Sequence, residues 1–250
     1  MLLYYLRHAD PIYNPDSLTP LGKRQAEALA RRLASHGIDK IFASSSQRAQ
    51  DTARPTAEIT KKPVTVLDWA HESTLYAQMA CRVEEAGRNY WYYHQQKYRE
   101  AFLRNDVRAL GREWYTHELF RDTTMGEGIT RIQREADNFL RELGYEHDLE
   151  NNCFRAVKPN HDRVALFAHQ GVGEAFLSCI LDIPYPIFAT HHDMSHSTMT
   201  VIDFGECVNG VYEVSHEEGS VVIPQMITYA NDSHIWREGL PTRYENGIYF

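Results

Sequence analysis

Two arginines, two histidines and a glutamate stand where apolar runs of this chain stop. Arg7-His8 closes Leu2–Leu6, Arg48 follows Ile38–Ala43, Glu72 follows Pro63–Leu67, and His169 follows Arg163–Ala168. Arginine offers a planar, permanently charged fork that matches phosphate oxygens. A neutral imidazole can attack phosphorus, and a carboxyl can protonate a departing oxygen. Each feature alone is ordinary: Arg-His reads as a polar loop, and Ser44-Ser45-Ser46 before a helix reads as capping. The recurrence carries the signal. In a parallel sheet the carboxyl ends of the strands share one edge, where α/β folds bind their ligands.

The elements that must bring these residues together follow from local pattern. Leu2–Leu6 is too short for a helix and reads as a buried strand. Ala9–Ser17, with Pro11, Asn14 and Pro15, reads as a loop over the strand end. Thr19 caps a helix with Pro20 at its first position, and His36-Gly37 stops it. Ile38–Ala43 returns as a strand, so strand, helix and strand form a βαβ unit whose two strands are expected to be parallel neighbours. A helix follows from about Ser46; Arg48 in its first turn opposes the helix dipole, which a bound anion would relieve. Pro55 predicts a kink or break.

From Leu75 to Glu146 the pattern is helical and strand-poor, with aromatics dense over Glu84–Tyr98. Gly126-Glu127-Gly128 reads as a break before an amphipathic helix, Ile129–Leu143, closed by Gly144. Cys153–Val157 reads as a short strand. Arg163–Ala168 is the best central strand, followed by a loop at His169–Gly173 and a helix over Glu174–Leu181. Met199–Phe204 and Val211–Val214 read as an antiparallel pair, with Ser220–Tyr229 as an edge segment and Asn231–Phe250 as a C-terminal arm. The expected fold is α/β: a three-layer α/β/α, Rossmann-like, mostly parallel sheet with an antiparallel edge. One domain over 1–250 is expected, with 75–146 as a helical cap insertion.

Composition narrows the partners. The 250 residues are 43% hydrophobic, enough for a sizeable core, and the net charge of −8 gives no general attraction to nucleic acid or anionic membrane. An anionic substrate must then be held by local arginines. Cys81, Cys153, Cys179 and Cys207 are scattered, which suits reduced thiols and a cytoplasmic setting. No stretch reaches the roughly 18 apolar residues of a membrane span. A small phosphorylated metabolite is the expected partner, and the sequence leaves room for a homo-oligomer.

Taken in order, these segments resemble the histidine phosphatase superfamily, the phosphoglycerate mutase-like family. LRHAD matches its Arg-His-Gly signature, SLTPLGKRQAEAL its LTxxGxxQA helix, SSSQRAQDTA its SPxxRAxQTA segment, LDWAHE its LxE acid and FAHQGVG its HGG loop. GEGITRIQREADNFL and NDSHI are weaker echoes. The resemblance implies that His8 is the nucleophile that becomes phosphohistidine. It implies a phosphate clamp of Arg7, Arg48 and His169 assisted by Asn14, and Glu72 as general acid, with Asp68 and Glu127 as rival carboxyls. No metal or other cofactor is implied.

Two positions depart from the pattern. Ala9 stands where the signature has glycine, adding a methyl group and disfavouring positive φ. Gln170 replaces the first glycine of the HGG loop and offers an extra donor to phosphate. The implied activity is metal-independent hydrolysis of phosphate monoesters. The alternatives are a phosphoglycerate mutase-type phosphotransferase, against which the absence of an ERHYG-like segment around Glu72 counts, and a catalytically weak phosphate sensor detuned by Ala9. His191, His192, Asp193 and His196 have ligand types that suit zinc or manganese, but HHxxxH lacks a recognised metal-site spacing, and the segment reads rather as a loop near the substrate entrance.

Overall fold

The computed structural model describes residues 1–208, 211–213 and 217–242. Its central sheet contains β1 (Leu2–Arg7), β2 (Lys40–Ser44), β3 (Val64–Leu67), β4 (Arg163–Ala168), β5 (Met199–Asp203) and β6 (Gln225–Asn231), in the order β6-β5-β1-β4-β2-β3. The β1–β4, β4–β2 and β2–β3 pairs are parallel, whereas β5 runs antiparallel to both β1 and β6.

Strand alternation sorts the core into two faces. Leu3 and Tyr5 of β1 join Leu166 of β4 and Phe176 in one apolar cluster; Tyr4 and Leu6 join Phe167, Leu29, Leu33 and Ala53 in another. The second face is covered by α1 (Pro20–His36) and α2 (Gln47–Thr60). The first is covered by α4 (Met125–Glu142) and α5 (Gln170–Ile180), with the shorter α3 (Glu72–Met79) packed against both. Each fully buried Leu or Phe contributes about 1.5–3 kcal/mol, so the layers are held by many such side chains. Trp114, Phe102 and Phe120, from the segment after α3, belong to the same cluster as the sheet residues.

Helix signals held where they were local. The Thr19 side chain accepts from Gly22 N–H, and Gly37 ends α1 at φ +78°. Ser46 caps α2.

Several expectations are corrected. β1 and β2 are parallel but not neighbours, because β4 inserts between them; adjacency depends on a strand over a hundred residues away. α2 continues through Pro55. Glu84–Tyr98 is not one helix: Arg88–Trp91 pairs with Ala80–Val83 in an antiparallel hairpin, and an α-helix begins only at Gln96. Gly126 and Gly128 lie inside α4, where a methyl group would strike Tyr115 and Met79, so close packing explains them rather than a break. Likewise α5 begins at Gln170, without a loop; side chains at Gly171 and Gly173 would collide with Trp91 and Tyr5.

β5 pairs with β1 and β6, and Val211–Glu213 pairs instead with Glu206–Val208. Cys153–Ala156 is a strand between Tyr145–Asp148 and Val221–Val222. The expected C-terminal arm begins within β6 and a short helix, Ser233–Arg237; residues 243–250 lie outside the described residues. Among the described residues no helix is long and apolar enough to cross a membrane.

Candidate active site

Sheet register builds the site. Arg7 pairs with Ala168, so the next residues, His8 and His169, emerge side by side with ring centroids 5.2 Å apart. Phe167 pairs with Ala43 and Ser44 with Leu67, which brings the ends of β2 and β3 to the same edge. His8 is 1% exposed and His169 fully buried. The His8 Nδ1–H donates to Ala9 O at 2.8 Å, leaving Nε2 with its lone pair.

Arg48 is the hub. Its Nη1 donates to Asp16 Oδ1 at 3.0 Å, and its Nη2 lies 3.1 Å from both Glu72 Oε2 and His169 Nδ1. A guanidinium can only donate, so His169 Nδ1 accepts and its Nε2–H donates to Ser44 Oγ at 2.8 Å. Asp16 and Glu72 thus supply the negative charge that an arginine in a first helical turn calls for. The Arg48 Nε is buried without a hydrogen bond among the described residues, a donor that an anion would satisfy. Glu72 opens α3, and its Oε1 accepts from Gly171 N–H at 3.2 Å in the first turn of α5.

Arg7 donates to Met194 O and, at 2.8 Å, to His196 Nε2. The His196 ring lies 5.4 Å from that of His8, with its Nδ1 3.9 Å from Asp10 Oδ1. Burial, followed by the charges of His169, Arg7 and Arg48, pushes the proton affinity of His8 well below the ordinary imidazole range. Burial and Arg48 do the same to His169. Both imidazoles are therefore neutral near pH 7, the form in which a histidine can be a nucleophile.

His8, Glu72 and His169 offer ligand atoms within 4.8 Å of one another. A metal ion fits this group poorly, because the Arg48 guanidinium already touches both Glu72 and His169 and would repel a second cation. The His191–His196 side chains do not converge either. His191 meets Arg108, His192 stacks on Phe188, Asp193 accepts from Gln170, and His196 faces Arg7.

Of the residues expected at the site, Arg7, His8, Arg48, Glu72 and His169 meet at the sheet edge. Asn14 lies exposed at the tip of the hairpin formed by Pro11–Tyr13 and Asp16–Leu18, and makes no hydrogen bond among the described residues. The Gln170 amide donates to Glu174 Oε1 at 3.1 Å and to Asp193 Oδ1 at 2.5 Å, so both of its hydrogens are engaged by carboxyl oxygens. Asp68 and Glu127 are exposed and outside the cluster. Ala9 has no positive φ; its N–H donates to Thr52 Oγ1, and its methyl packs with Leu18 and Ala26, so the backbone tolerates the departure from glycine.

Sequence reasoning missed Asp16, Ser44 and Glu174, and placed His196 in a loop near the substrate entrance without giving it a role beyond that of a metal-ligand candidate. Asp16 was legible in part, as a carboxylate in a loop expected to cover the strand end. Glu174 is fully buried, and burial pushes its carboxyl well above the usual range, which suits the protonated form beside Gln170. A cleft of about 460 Å³ opens over Arg48 and Glu72, lined further by His71, Tyr76, Arg88 and Trp91.

The family model described as "Histidine phosphatase superfamily (branch 1)" matches residues 3–215. No curated protein sequence matches the chain. Among solved structures, a phosphoserine phosphatase mutant from Entamoeba histolytica in complex with phosphoserine is 15% identical, with 94% of this chain and 98% of that chain covered at a TM-score of 0.56. A mycobacterial glucosyl-3-phosphoglycerate phosphatase with inorganic phosphate is 18% identical, covering 93% and 98%, also at 0.56. The alpha-ribazole phosphatase of Shigella flexneri is 16% identical, covering 92% and 100%, at 0.50. At these identities the likeness is one of fold.

Proposed function

The chain belongs to the histidine phosphatase superfamily, and from that premise we propose that it hydrolyses a small phosphate monoester, without a metal, through a phosphohistidine at His8. The observation that carries this reading is the convergence of a buried, neutral His8, its Nδ1 tied to Ala9 O, with Arg48, His169 and Glu72 at one sheet edge. Phosphoryl transfer asks chiefly for positioning and charge neutralisation, which arginines can supply.

In the first step His8 Nε2 attacks phosphorus. The P–N bond forms as the ester P–O bond breaks, and Glu72 gives its proton to the departing oxygen. That proton arrives with the ester, whose monoanion carries one that Glu72 takes up on binding. In the second step water attacks phosphorus, its proton passes to Glu72, and His8 leaves as a neutral imidazole. Arg7 and Arg48 hold the phosphoryl oxygens throughout, and an oxyanion donor of this kind is worth about 10²–10³ in rate. His169, whose one N–H goes to Ser44, acts by accepting from Arg48 and so positioning it, rather than as the clamp donor the resemblance implied.

The test is hydrolysis of a panel of phosphate monoesters with chelator present. Turnover by the wild type that disappears in Glu72→Ala for alkyl esters, but persists in part for esters with good leaving groups, is expected. Failure of the wild type to hydrolyse any ester, while phosphate still binds, would contradict the reading.

A further inference from the structure

Four of the cations in the inserted segment, Arg82, Arg88, Lys97 and Arg99, differ in what they reach. Arg82 pairs with Glu84, Lys97 lies over Tyr98, and Arg99 donates to Tyr93 O and Thr190 O. Arg88 alone of these lines the cleft over Arg48 and Glu72. Most of the remaining wall is aromatic, with Tyr13, Tyr76, Tyr90 and Trp91 beside Ser73 and Asn89, and it adjoins Arg48 and Glu72. Tyr13 lies under the Arg48 guanidinium, 5.4 Å from carbon to ring centroid. Trp91 presses on Gly171, whose N–H holds Glu72.

These rings are fixed in advance. Trp91 is gripped edge-to-face by Tyr76 at 5.1 Å and flanked by Tyr93 at 5.5 Å, and Tyr76 Oη–H donates to Asn89 O. Arg88 lies over the Tyr90 ring at 4.6 Å and donates from Nε to Tyr90 Oη. Tyr13, by contrast, is 66% exposed, a large aromatic surface left at the mouth of a cleft. Preorganised π-faces favour a planar ring, because little side-chain freedom is lost when it binds. Aliphatic polyols gain no such contact. A cation at the far lip suits ring-edge acceptors and disfavours an ammonium-bearing alcohol.

Resting on the phosphatase reading, we infer that the substrate is a phosphate monoester whose alcohol carries a planar, acceptor-rich ring, the class that includes nucleoside 5′-monophosphates. The ring stacks against Trp91 and Tyr13, with Arg88 at its outer edge, while the phosphate reaches Arg48.

Adenosine 5′-monophosphate, uridine 5′-monophosphate and ribose 5-phosphate share the same leaving alkoxide and differ in the ring, so their ratios isolate the ring's contribution. We expect kcat/KM for the nucleotides to exceed that for ribose 5-phosphate by about tenfold or more, the scale of one stacked base. Tyr13→Ser, at an exposed site that does not threaten folding, and Trp91→Leu should each shrink that ratio several-fold while ribose 5-phosphate turnover changes less. Calorimetric binding of the same three esters gives the same ratio independently of turnover. If no ester is hydrolysed but the nucleotides still bind about tenfold more tightly, the phosphatase reading fails and the ring inference stands. Equal turnover and equal binding with and without the ring, or ratios that Tyr13→Ser and Trp91→Leu leave unchanged, would overturn it.

Discussion

Buried histidines in two regions of this molecule are shifted in opposite directions in their hold on a proton. At the sheet edge His8 and His169 lie among arginines and each other, and burial with like charge pushes both toward the neutral form. Beside α4 and the end of α5, His147 is also buried. There, hydrogen bonds from its ring to Asp137 at 2.8 Å and Asp182 at 3.3 Å overcome burial and raise its proton affinity. Its ring stacks on Phe154 at 4.0 Å, and Asp182 also takes Arg112 at 2.6 Å. The difference teaches that burial alone does not set an imidazole's charge; the sign of its hydrogen-bonding neighbours does. A neutral ring ready to attack belongs among cations. A ring that pins elements together by holding its proton more tightly belongs among carboxylates.

The comparison can be broken most forcefully at the hub of the first region. Arg48→Ala removes the group that touches Glu72, His169 and Asp16 together, and should lower kcat/KM by about 10³ in steady-state assays. Arg48→Lys should recover only part of it, because a point charge cannot bridge several acceptors as a planar fork does. Full rescue by lysine would mean that charge alone suffices.

In the second region the effect is on stability. His147→Gln should cost about 1–3 kcal/mol in denaturant unfolding and leave turnover unaltered. Its pH dependence has a definite sign. A raised folded-state value contributes stability that is complete below the unfolded value of about 6.5 and is lost as pH rises through the raised value. The variant and the wild type should therefore differ most near pH 6 and converge in alkali. The depressed values of His8 and His169 act in the other direction, withdrawing stability as pH falls below about 6.5. A destabilisation by His147→Gln that grows with pH would contradict the assignment.

The smallest effect is expected at Ala9→Gly. With ordinary φ at this position and a methyl packed on Leu18 and Ala26, the change should cost under about 1 kcal/mol and bring no large gain in turnover. A large gain would mean that the methyl detunes the pocket after all.

What the sequence made legible follows the range of the interactions. The caps at Thr19 and Ser46 and the strand ends at Arg7, Arg48, Glu72 and His169 depend on neighbours a few residues away, and the parallel edge then follows from strand direction alone. The insertion of β4 between β1 and β2 is non-local and left no trace in either strand. The hairpin over Ala80–Trp91 was hidden because its aromatics serve both core and cleft, blurring any period of two. Glycines at 171 and 173 imitated a loop because close packing and turning select the same residue. Asp16 reaches the site from the hairpin after β1 and His196 from a loop, and periodicity reports on neither.

The central claim is a covalent intermediate at His8, and trapping it is the most direct measurement. Rapid quenching of the wild type with a phosphate monoester, in chelator, followed by peptide mass spectrometry under alkaline conditions, should find phosphate on His8. His8→Ala should lose both the adduct and roughly 10⁴-fold or more of turnover. Undiminished turnover in His8→Ala, or phosphate found on a different residue, would contradict the account.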